Sequence, residues 1–162
     1  MAIEKVRNYL KKFNAQDRIL EFAESSATVE LAAKAAGTQP ERIAKSLTFM
    51  VNDTPIMIVA AGDAKVDNGK YKAEYATKAK MLTAQQVDEL IGHGVGGVCP
   101  FGINEGVKVY LDKSLQRFTT VFPACGSSNS AIELSIPELE QFAQGFVKWV
   151  DVCKNWQETK IY

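Results

Sequence analysis

The glycine-rich stretch at residues 92–102 most constrains how this chain can fold. It reads Gly-His-Gly-Val-Gly-Gly-Val-Cys-Pro-Phe-Gly and holds five of the chain's eleven glycines. Glycine costs backbone entropy and adds no side-chain packing, so a cluster of glycines needs a structural reason. A flexible linker is one interpretation, but linkers are rich in Ser and charge, whereas Val95, Val98, Cys99 and Phe101 favour burial or a ligand. The stretch therefore predicts a shaped loop whose main chain closely approaches another group.

The spacing of Gly92, Gly94 and Gly97 also matches the GxGxxG pattern of dinucleotide-binding proteins. That fingerprint follows a strand, opens a helix and has an acidic residue about 20 positions later. Here a helix is predicted before the loop and Pro100 follows it, so we interpret the match as accidental. What remains is a Gly/Pro loop whose main-chain N–H groups can hold an oxyanion or a carbonyl oxygen.

Short helices and short strands alternate irregularly along the chain. Two β-prone runs flank residues 52–55, which predicts a hairpin. Helices are predicted over 3–13, 29–37, 40–43, 67–76, 83–91 and 137–144, and strands over 18–23, 45–51, 56–61, 79–82, 107–111, 119–122, 131–134 and 146–153. This mixture predicts a single α+β domain over residues 1–162 rather than a regular βαβ series.

Charge and cysteine usage narrow the class of protein. Nineteen basic and nineteen acidic side chains balance, which argues against a broad basic surface for nucleic acid but leaves room for a local patch. The first residues lack the apolar core of a signal peptide, and no apolar run approaches the roughly 20 residues that span a bilayer. We therefore expect a cytoplasmic protein without a membrane partner. Cys99, Cys125 and Cys153 are far apart and there is one His, so no metal site is predicted.

One polar segment opens a predicted strand, and a second polar segment follows the next strand. Lys45 and Ser46 open the first strand of the hairpin. Such a lysine is either solvated or held in a pocket, where its charge grips a carbonyl, carboxylate or phosphate oxygen. Gly62-Asp63 and Asp67 follow the second strand. Paired carboxylates suit a metal or acid–base chemistry, but a turn and a helix cap explain both residues, and we prefer those roles.

A third candidate is a thiol enzyme. Cys125 lies in the polar loop 124–130, and His93 would serve as its base. The chain shows neither an evident orienting group nor a local signature for this pair. Because His93 stands between glycines, we expect it to be an exposed loop residue.

Five segments occur in an order that resembles a known family. They are Ala-Thr-Val-Glu at 27–30, Lys-Ser-Leu-Thr-Phe at 45–49, Gly-Asp with Val-Asp and Lys at 62–70, Gly-Gly-Val-Cys-Pro-Phe-Gly at 96–102 and Ile-Glu-Leu at 132–134. In this order they resemble the YbaK/EbsC-like aminoacyl-tRNA deacylases, which include the editing domain associated with bacterial prolyl-tRNA synthetases. The resemblance implies a mixed, barrel-like β-sheet with surrounding helices. It also implies hydrolysis of the ester of a mischarged tRNA by a free-standing domain, without a metal or other cofactor.

The resemblance implies roles for individual residues. Lys45 would be catalytic, positioning and polarising the aminoacyl end, while Ser46 lines the same pocket. The backbone from Gly96 to Pro100 would hold the aminoacyl group and face Lys45 across a small cavity. The 2′-OH of the terminal adenosine would assist the attacking water, since no protein base is evident. The substrate-binding residues expected on this basis are Thr28, Ser46, Gly62, Asp63, Gly96, Gly97, Val98, Pro100, Phe101, Gly102, Gly126 and Ser127.

The expected partner is the acceptor end of an aminoacyl-tRNA, with an aminoacyl-tRNA synthetase as a second candidate. Family members that act on cysteinyl-tRNA carry Ser and Asp where this chain has Ala124 and Ala131. The edited amino acid therefore stays open among alanine, cysteine, serine and threonine.

His93 is expected at the pocket rim. A non-catalytic tRNA- or synthetase-binding module of the same fold is the alternative function, and residues 156–162 are expected to form a tail or contact surface.

Overall fold

The computed structural model describes residues 2–156, so the expected tail lies outside the described residues apart from Trp156. The helices are Ala2–Leu10 (α1), Val29–Ala36 (α2), Asn68–Tyr75 (α3), Ala84–Gln86 (α4) and Ile136–Phe142 (α5). The strands are Leu20–Glu21 (β1), Ile43–Val51 (β2), Thr54–Ala61 (β3), Lys65–Val66 (β4), Lys108–Asp112 (β5), Thr120–Pro123 (β6), Ser130–Ala131 (β7), Leu134–Ser135 (β8), Phe146–Val150 (β9) and Cys153–Lys154 (β10).

A mixed six-stranded sheet in the order β8-β6-β2-β3-β5-β9 organises the fold. Strands β2 and β3 pair antiparallel, as do β6 and β8, whereas β2/β6, β3/β5 and β5/β9 pair parallel. The sheet curls into a half-barrel. Two small antiparallel pairs, β1/β7 and β4/β10, stand beside it. The predicted α+β fold with a mixed, barrel-like sheet is confirmed.

The β2–β3 hairpin is the centre of this sheet. Its turn is two residues long, shorter than the predicted 52–55, because Asn52 and Asp53 both adopt positive φ angles of 47° and 66°. Two-residue turns of this hand match the twist of the flanking strands, and Asn and Asp tolerate the left-handed region. Met57, Ile58 and Val59 have no exposed surface. Strand β3 is therefore covered on both faces, and the core surrounds it.

Side-chain caps begin the helices where the sequence predicts them. Thr28 accepts a hydrogen bond from the N–H of Leu31 at the start of α2, 3.2 Å away. Asp67 caps α3 by accepting from the N–H of Lys70 at 3.0 Å. Thr83 forms a complete capping box with Gln86. Each cap satisfies main-chain donors that the first helical turn leaves unpaired.

Two predicted strands are divided in the structure because the chain changes partners within them. The predicted strand 131–134 is divided, since β7 pairs with β1 whereas β8 pairs with β6. The predicted strand 146–153 is divided in the same way between β9 on β5 and β10 on β4. The predicted strand 79–82 contributes one bridge, between Met81 and Phe49. The helix predicted to reach residue 91 continues from α4 as a π-helical turn, Val87–Ile91.

The glycine-rich loop lies against the loop between β6 and β7. The N–H of Gly126 donates to the carbonyl of Gly97 at 3.0 Å. A Cβ added to Gly97 would lie 2.5 Å from the carbonyl carbon of Gly126 and 2.6 Å from the N of Ser127. The predicted close approach of main chain to another group is confirmed, and at Gly97 that group is main chain.

Gly97→Ala is expected to destabilise the protein by about 1–3 kcal/mol, because two backbone segments must separate to admit the methyl group. Gly94→Ala is the matched control, since a Cβ there meets nothing within 4 Å, and its effect should stay within about 0.5 kcal/mol. Urea unfolding of both variants measures the difference. Equal stabilities would contradict the close backbone contact.

An ion pair joins the segment before β1 to the start of α5. The guanidinium of Arg18 donates to both carboxylate oxygens of Glu138, at 2.7 and 3.1 Å. Glu138 also accepts from the N–H of Ser135 at 2.9 Å. The hydrogen bonds from Arg18, followed by those from Ser135, lower the pKa of Glu138 from 4.5 to about 2.

Because its folded-state pKa is lowered, Glu138 contributes stability above pH about 4.5 that is lost as the pH falls toward about 2. Glu138→Gln should therefore be less stable than wild type at pH 7, by at most about 1 kcal/mol since the pair is partly exposed. The difference in free energy of unfolding between wild type and Glu138→Gln should decrease steadily as the pH falls from 5 to 2.5. Urea unfolding across this range measures it, with Glu24→Gln, an exposed position, as control. A pH-independent difference would assign Glu138 a role other than its charge.

Candidate functional site

A cavity of about 350 Å³ opens where α2, β2 and the glycine-rich loop meet. Its wall includes residues 26–29 at the start of α2, residues 43–48 of β2, and Gly96 from the glycine-rich loop. Ser130 and Ala131 of β7 complete the side toward the small sheet. The cavity thus lies between elements that are far apart in the sequence.

Lys45 contributes the one ionisable side chain among the lining residues that the structure describes. Its Nζ donates to the carbonyl oxygen of Gly62 at 3.3 Å and to that of Ala64. Burial lowers the pKa of Lys45, and the negative charges of Asp63 and Glu30 partly oppose this effect. An ammonium group has three N–H donors, so two carbonyls orient it and leave capacity for one further acceptor.

Gly62 lies outside the cavity wall but determines where the Lys45 ammonium is held. A Cβ at Gly62 would lie 2.0 Å from the carbonyl oxygen of Pro40 and 2.8 Å from Cγ1 of Val29. A residue with a side chain would therefore clash with the main chain of Pro40, which lies between α2 and β2. The absence of a side chain therefore lets the turn after β3 approach α2 while its carbonyl faces Lys45.

The carboxylates after β3 have structural partners. Asp63 receives hydrogen bonds at 2.6 and 3.0 Å from the guanidinium of Arg117, a buried residue. Asp67 is the cap of α3. These contacts agree with the preferred turn and cap roles. Asp63 is absent from the cavity wall.

The glycine-rich loop reaches the cavity at three positions. Val95, Gly96 and Val98 line it, and Gly96 adopts a positive φ of 97° that favours glycine. The other expected residues of this loop pack elsewhere. Gly97 contacts Gly126, and a Cβ at Gly102 would meet the backbone of Lys5. The carbonyl of Pro100 accepts a hydrogen bond from the N–H of Gln144. The carbonyl of Phe101 accepts one from His93.

The expected residues of the β6–β7 loop also stand behind the cavity. Gly126 has a positive φ of 90°, and a Cβ on it would lie 2.8 Å from the carbonyl oxygen of Ala2. The hydroxyl of Ser127 contacts the side chains of Asn129 and Ser130. Of this group Ser130, which was not among the expected substrate-binding residues, is the one that lines the cavity.

Two further lining residues carry hydroxyl groups on β2. Ser46 Oγ is buried and has no hydrogen-bond partner among the described residues. Thr48 is buried and follows Ser46 at the next position on the same strand face. The two-residue alternation of a strand predicts that they share a face, so Thr48 was detectable from the sequence once Ser46 was singled out.

The cavity mouth is apolar. Met81 and Val95 line the cavity, yet they are 61 % and 70 % exposed. Sequence reasoning missed Met81 because it lies in a segment predicted as an ordinary strand. Exposed large apolar side chains beside a cavity are typical of binding sites.

The expected exposure of His93 is wrong. His93 is fully buried, and its Nε2 lies 2.7 Å from the carbonyl oxygen of Phe101. Burial lowers the pKa of His93. It is absent from the cavity wall, so its placement at the pocket rim is also wrong.

The structure argues against a thiol nucleophile. Cys125 is fully buried, and burial raises its pKa well above the ordinary value. The nearest thiol contact of His93 is with Cys99, at 3.6 Å. A nucleophilic cysteine needs thiolate character and access to substrate, and Cys125 has neither.

Residues 2–156 offer neither a cluster of metal ligands nor a membrane-spanning helix. In this part of the chain no three His, Cys, Asp or Glu side chains come together as ligands. None of its helices combines the length and the apolar character needed to cross a bilayer.

Known proteins share both sequence and fold with this chain. YwhH of Bacillus subtilis (strain 168), an uncharacterized protein, is 52 % identical over 158 residues, which are 97 % of this chain and all of YwhH. The proline–tRNA ligase of Halalkalibacterium halodurans is 32 % identical over 104 residues, 64 % of this chain but 18 % of the ligase. A crystal structure of a protein proposed as a trans-editing enzyme for prolyl-tRNA synthetase matches with a TM-score of 0.85 and 26 % identity, covering 94 % of this chain and 97 % of that one.

The family predicted from the order of the motifs is confirmed by these relatives together with the match of a family profile. The profile of the aminoacyl-tRNA editing domain covers residues 23–142, which include every cavity-lining residue. The chain belongs to the aminoacyl-tRNA editing domain family.

Proposed function

We propose that this protein is a trans-editing deacylase that hydrolyses the ester of a mischarged aminoacyl-tRNA. Its substrate would be a small amino acid on the acceptor end of a tRNA. The relation to proline–tRNA ligases favours tRNA that is specific for proline. The similarity to a protein proposed as a trans-editing enzyme supports action on a separate substrate molecule.

The observation that carries this proposal is the oriented Lys45 ammonium in an otherwise uncharged cavity. A fixed positive charge polarises the ester carbonyl and stabilises the oxyanion that forms when water attacks. An aminoacyl ester is already reactive, so orientation and charge stabilisation supply much of what its hydrolysis needs. In this scheme Lys45 is catalytic, while Gly62 holds its ammonium in place.

The described lining residues include no carboxylate, imidazole or thiol that would act as a general base. We therefore assign activation of the attacking water to the 2′-OH of the terminal ribose, as the family resemblance implies. Gly96 and Val98 would enclose the acyl group from the side of the glycine-rich loop. Thr28 would contribute from the start of α2, and Ser46 would supply a hydroxyl to the ligand.

Small side chains in the wall support a small acyl group. The alanines among the lining residues are Ala27, Ala32, Ala44, Ala84, Ala124 and Ala131. An apolar pocket of this kind admits a methyl group but discriminates one methylene by only about 1–3 kcal/mol. By the family resemblance, Ala124 and Ala131 stand where cysteine-specific members carry Ser and Asp, so we favour alanine over cysteine as the substrate.

Lys45→Met tests this function, because it keeps the length of the side chain and removes its charge. We expect deacylation of the best substrate in a panel of mischarged tRNAs to fall by about 10²- to 10³-fold, the usual effect of losing one oxyanion donor. Single-turnover rates with saturating enzyme measure the chemical step. Lys108→Met, on the exposed start of β5, is the control and should retain the wild-type rate.

A wild type that is inert on the whole panel, or a Lys45→Met variant with full activity, would overturn the proposed function. Tight binding of tRNA without turnover would instead identify the alternative, a non-catalytic tRNA-binding module. Filter binding of the same tRNAs distinguishes these outcomes.

A further inference from the structure

Three side chains, those of Asn129, Ser127 and Ser130, are joined by hydrogen bonds into a row that ends at the cavity wall. Asn129 and Ser127 stand behind the wall, whereas Ser130 lines the cavity and is 1 % exposed. The direction of the hydrogen bonds along this row determines whether Ser130 can donate a hydrogen bond to a ligand or accept one from it.

Asn129 determines the direction of the hydrogen bonds along this row. Its amide nitrogen donates to the carbonyl of Phe22 at 3.0 Å, which turns its amide oxygen Oδ1 toward Ser127 Oγ, 3.0 Å away. An amide oxygen only accepts, so Ser127 must donate its one hydroxyl proton there. The oxygens of Ser127 and Ser130 are 2.6 Å apart. Because the Ser127 proton is already used, Ser130 must be the donor in this bond.

Ser130 is thereby left as an acceptor only. Its own proton is directed away from any ligand, toward Ser127, and its oxygen retains a lone pair. The Lys45 ammonium on another part of the wall is a donor only. A ligand complementary to both groups carries an oxygen acceptor and an N–H or O–H donor. An aminoacyl ester has both, in its carbonyl oxygen and its α-amino group.

We propose that Ser130 accepts a hydrogen bond from the α-amino group of the substrate and makes the enzyme specific for aminoacyl esters over simple acyl esters. This inference rests on the proposed function. Ala124 and Ala131 on the same wall offer no side-chain acceptor. Without Ser130, an amino group bound beside these two alanines would lack a side-chain acceptor on this part of the wall, which is costly.

The test compares two esters on the same tRNA. One is the aminoacyl-tRNA that wild type hydrolyses fastest, and the other is its analogue with hydrogen in place of the α-amino group, for example alanyl- and propionyl-tRNA. We expect wild type to prefer the aminoacyl ester, partly because the α-amino group itself activates the ester and partly because Ser130 binds that group. Ser130→Ala should lower this preference by about 10-fold, as for loss of a hydrogen bond to a buried partner, by slowing only the aminoacyl ester. The preference that remains reflects the intrinsic reactivity of the two esters.

Two further variants separate this role from packing. Ser127→Ala leaves the Ser130 hydroxyl in place but removes the group that orients it, so an intermediate preference is expected. It also supplies the test if Ser130→Ala fails to fold. Ser128→Ala is the matched control from the same loop, because its side chain is exposed and outside the cavity wall, and it should keep the full preference.

Two results would overturn the inference while leaving the proposed function intact. An equal loss on both esters would assign Ser130 to the ribose 2′-OH or to packing. A loss confined to seryl- or threonyl-tRNA would assign it to a side-chain hydroxyl of the substrate. Failure of the proposed function is recognised separately, since wild type would then hydrolyse none of the aminoacyl-tRNAs.

Discussion

The placement of one cation in an apolar wall is the constraint on which the site depends. A half-buried ammonium needs oxygen acceptors, and the turn after β3 supplies them through the carbonyls of Gly62 and Ala64. That turn reaches Lys45 because Gly62 fits directly against the Pro40 carbonyl. The turn after β3 therefore contacts both the lysine of the hairpin and the segments around helix α2 beside the cavity.

The glycine-rich loop contributes to the cavity mainly as a scaffold. Gly97 is needed for contact with the backbone of Gly126, and only Val95, Gly96 and Val98 reach the cavity. This contact joins the loop to the segment that carries Ser130. Donor and acceptor of the proposed site thus stand on separate parts of the fold, with few polar groups between them. Such a wall selects a ligand by the placement of its polar atoms as much as by its size.

Local signals made the caps at Thr28, Asp67 and Thr83 and the β2–β3 hairpin predictable, because each depends on neighbouring residues in the chain. The family followed from the order of motifs, and the proposal that Lys45 acts in the site rests on the same order. The burial of His93 could not be predicted from the sequence, since a residue between glycines gives no sign of what packs around it. The proposed role of Ser130 could not be predicted either, because it depends on Asn129 and on the carbonyl of Phe22, more than a hundred residues earlier.

The pairing of β4 with β10 has a consequence for when the site forms. Strand β4 follows directly on the carbonyls that hold Lys45, and the N–H of Asp67 donates to the carbonyl of Val152. Such pairing across a long stretch of sequence forms slowly, since the intervening chain must first be ordered. During synthesis this pair can therefore form only after the last described strand has left the ribosome, so the strand next to the lysine-binding carbonyls gains its partner late.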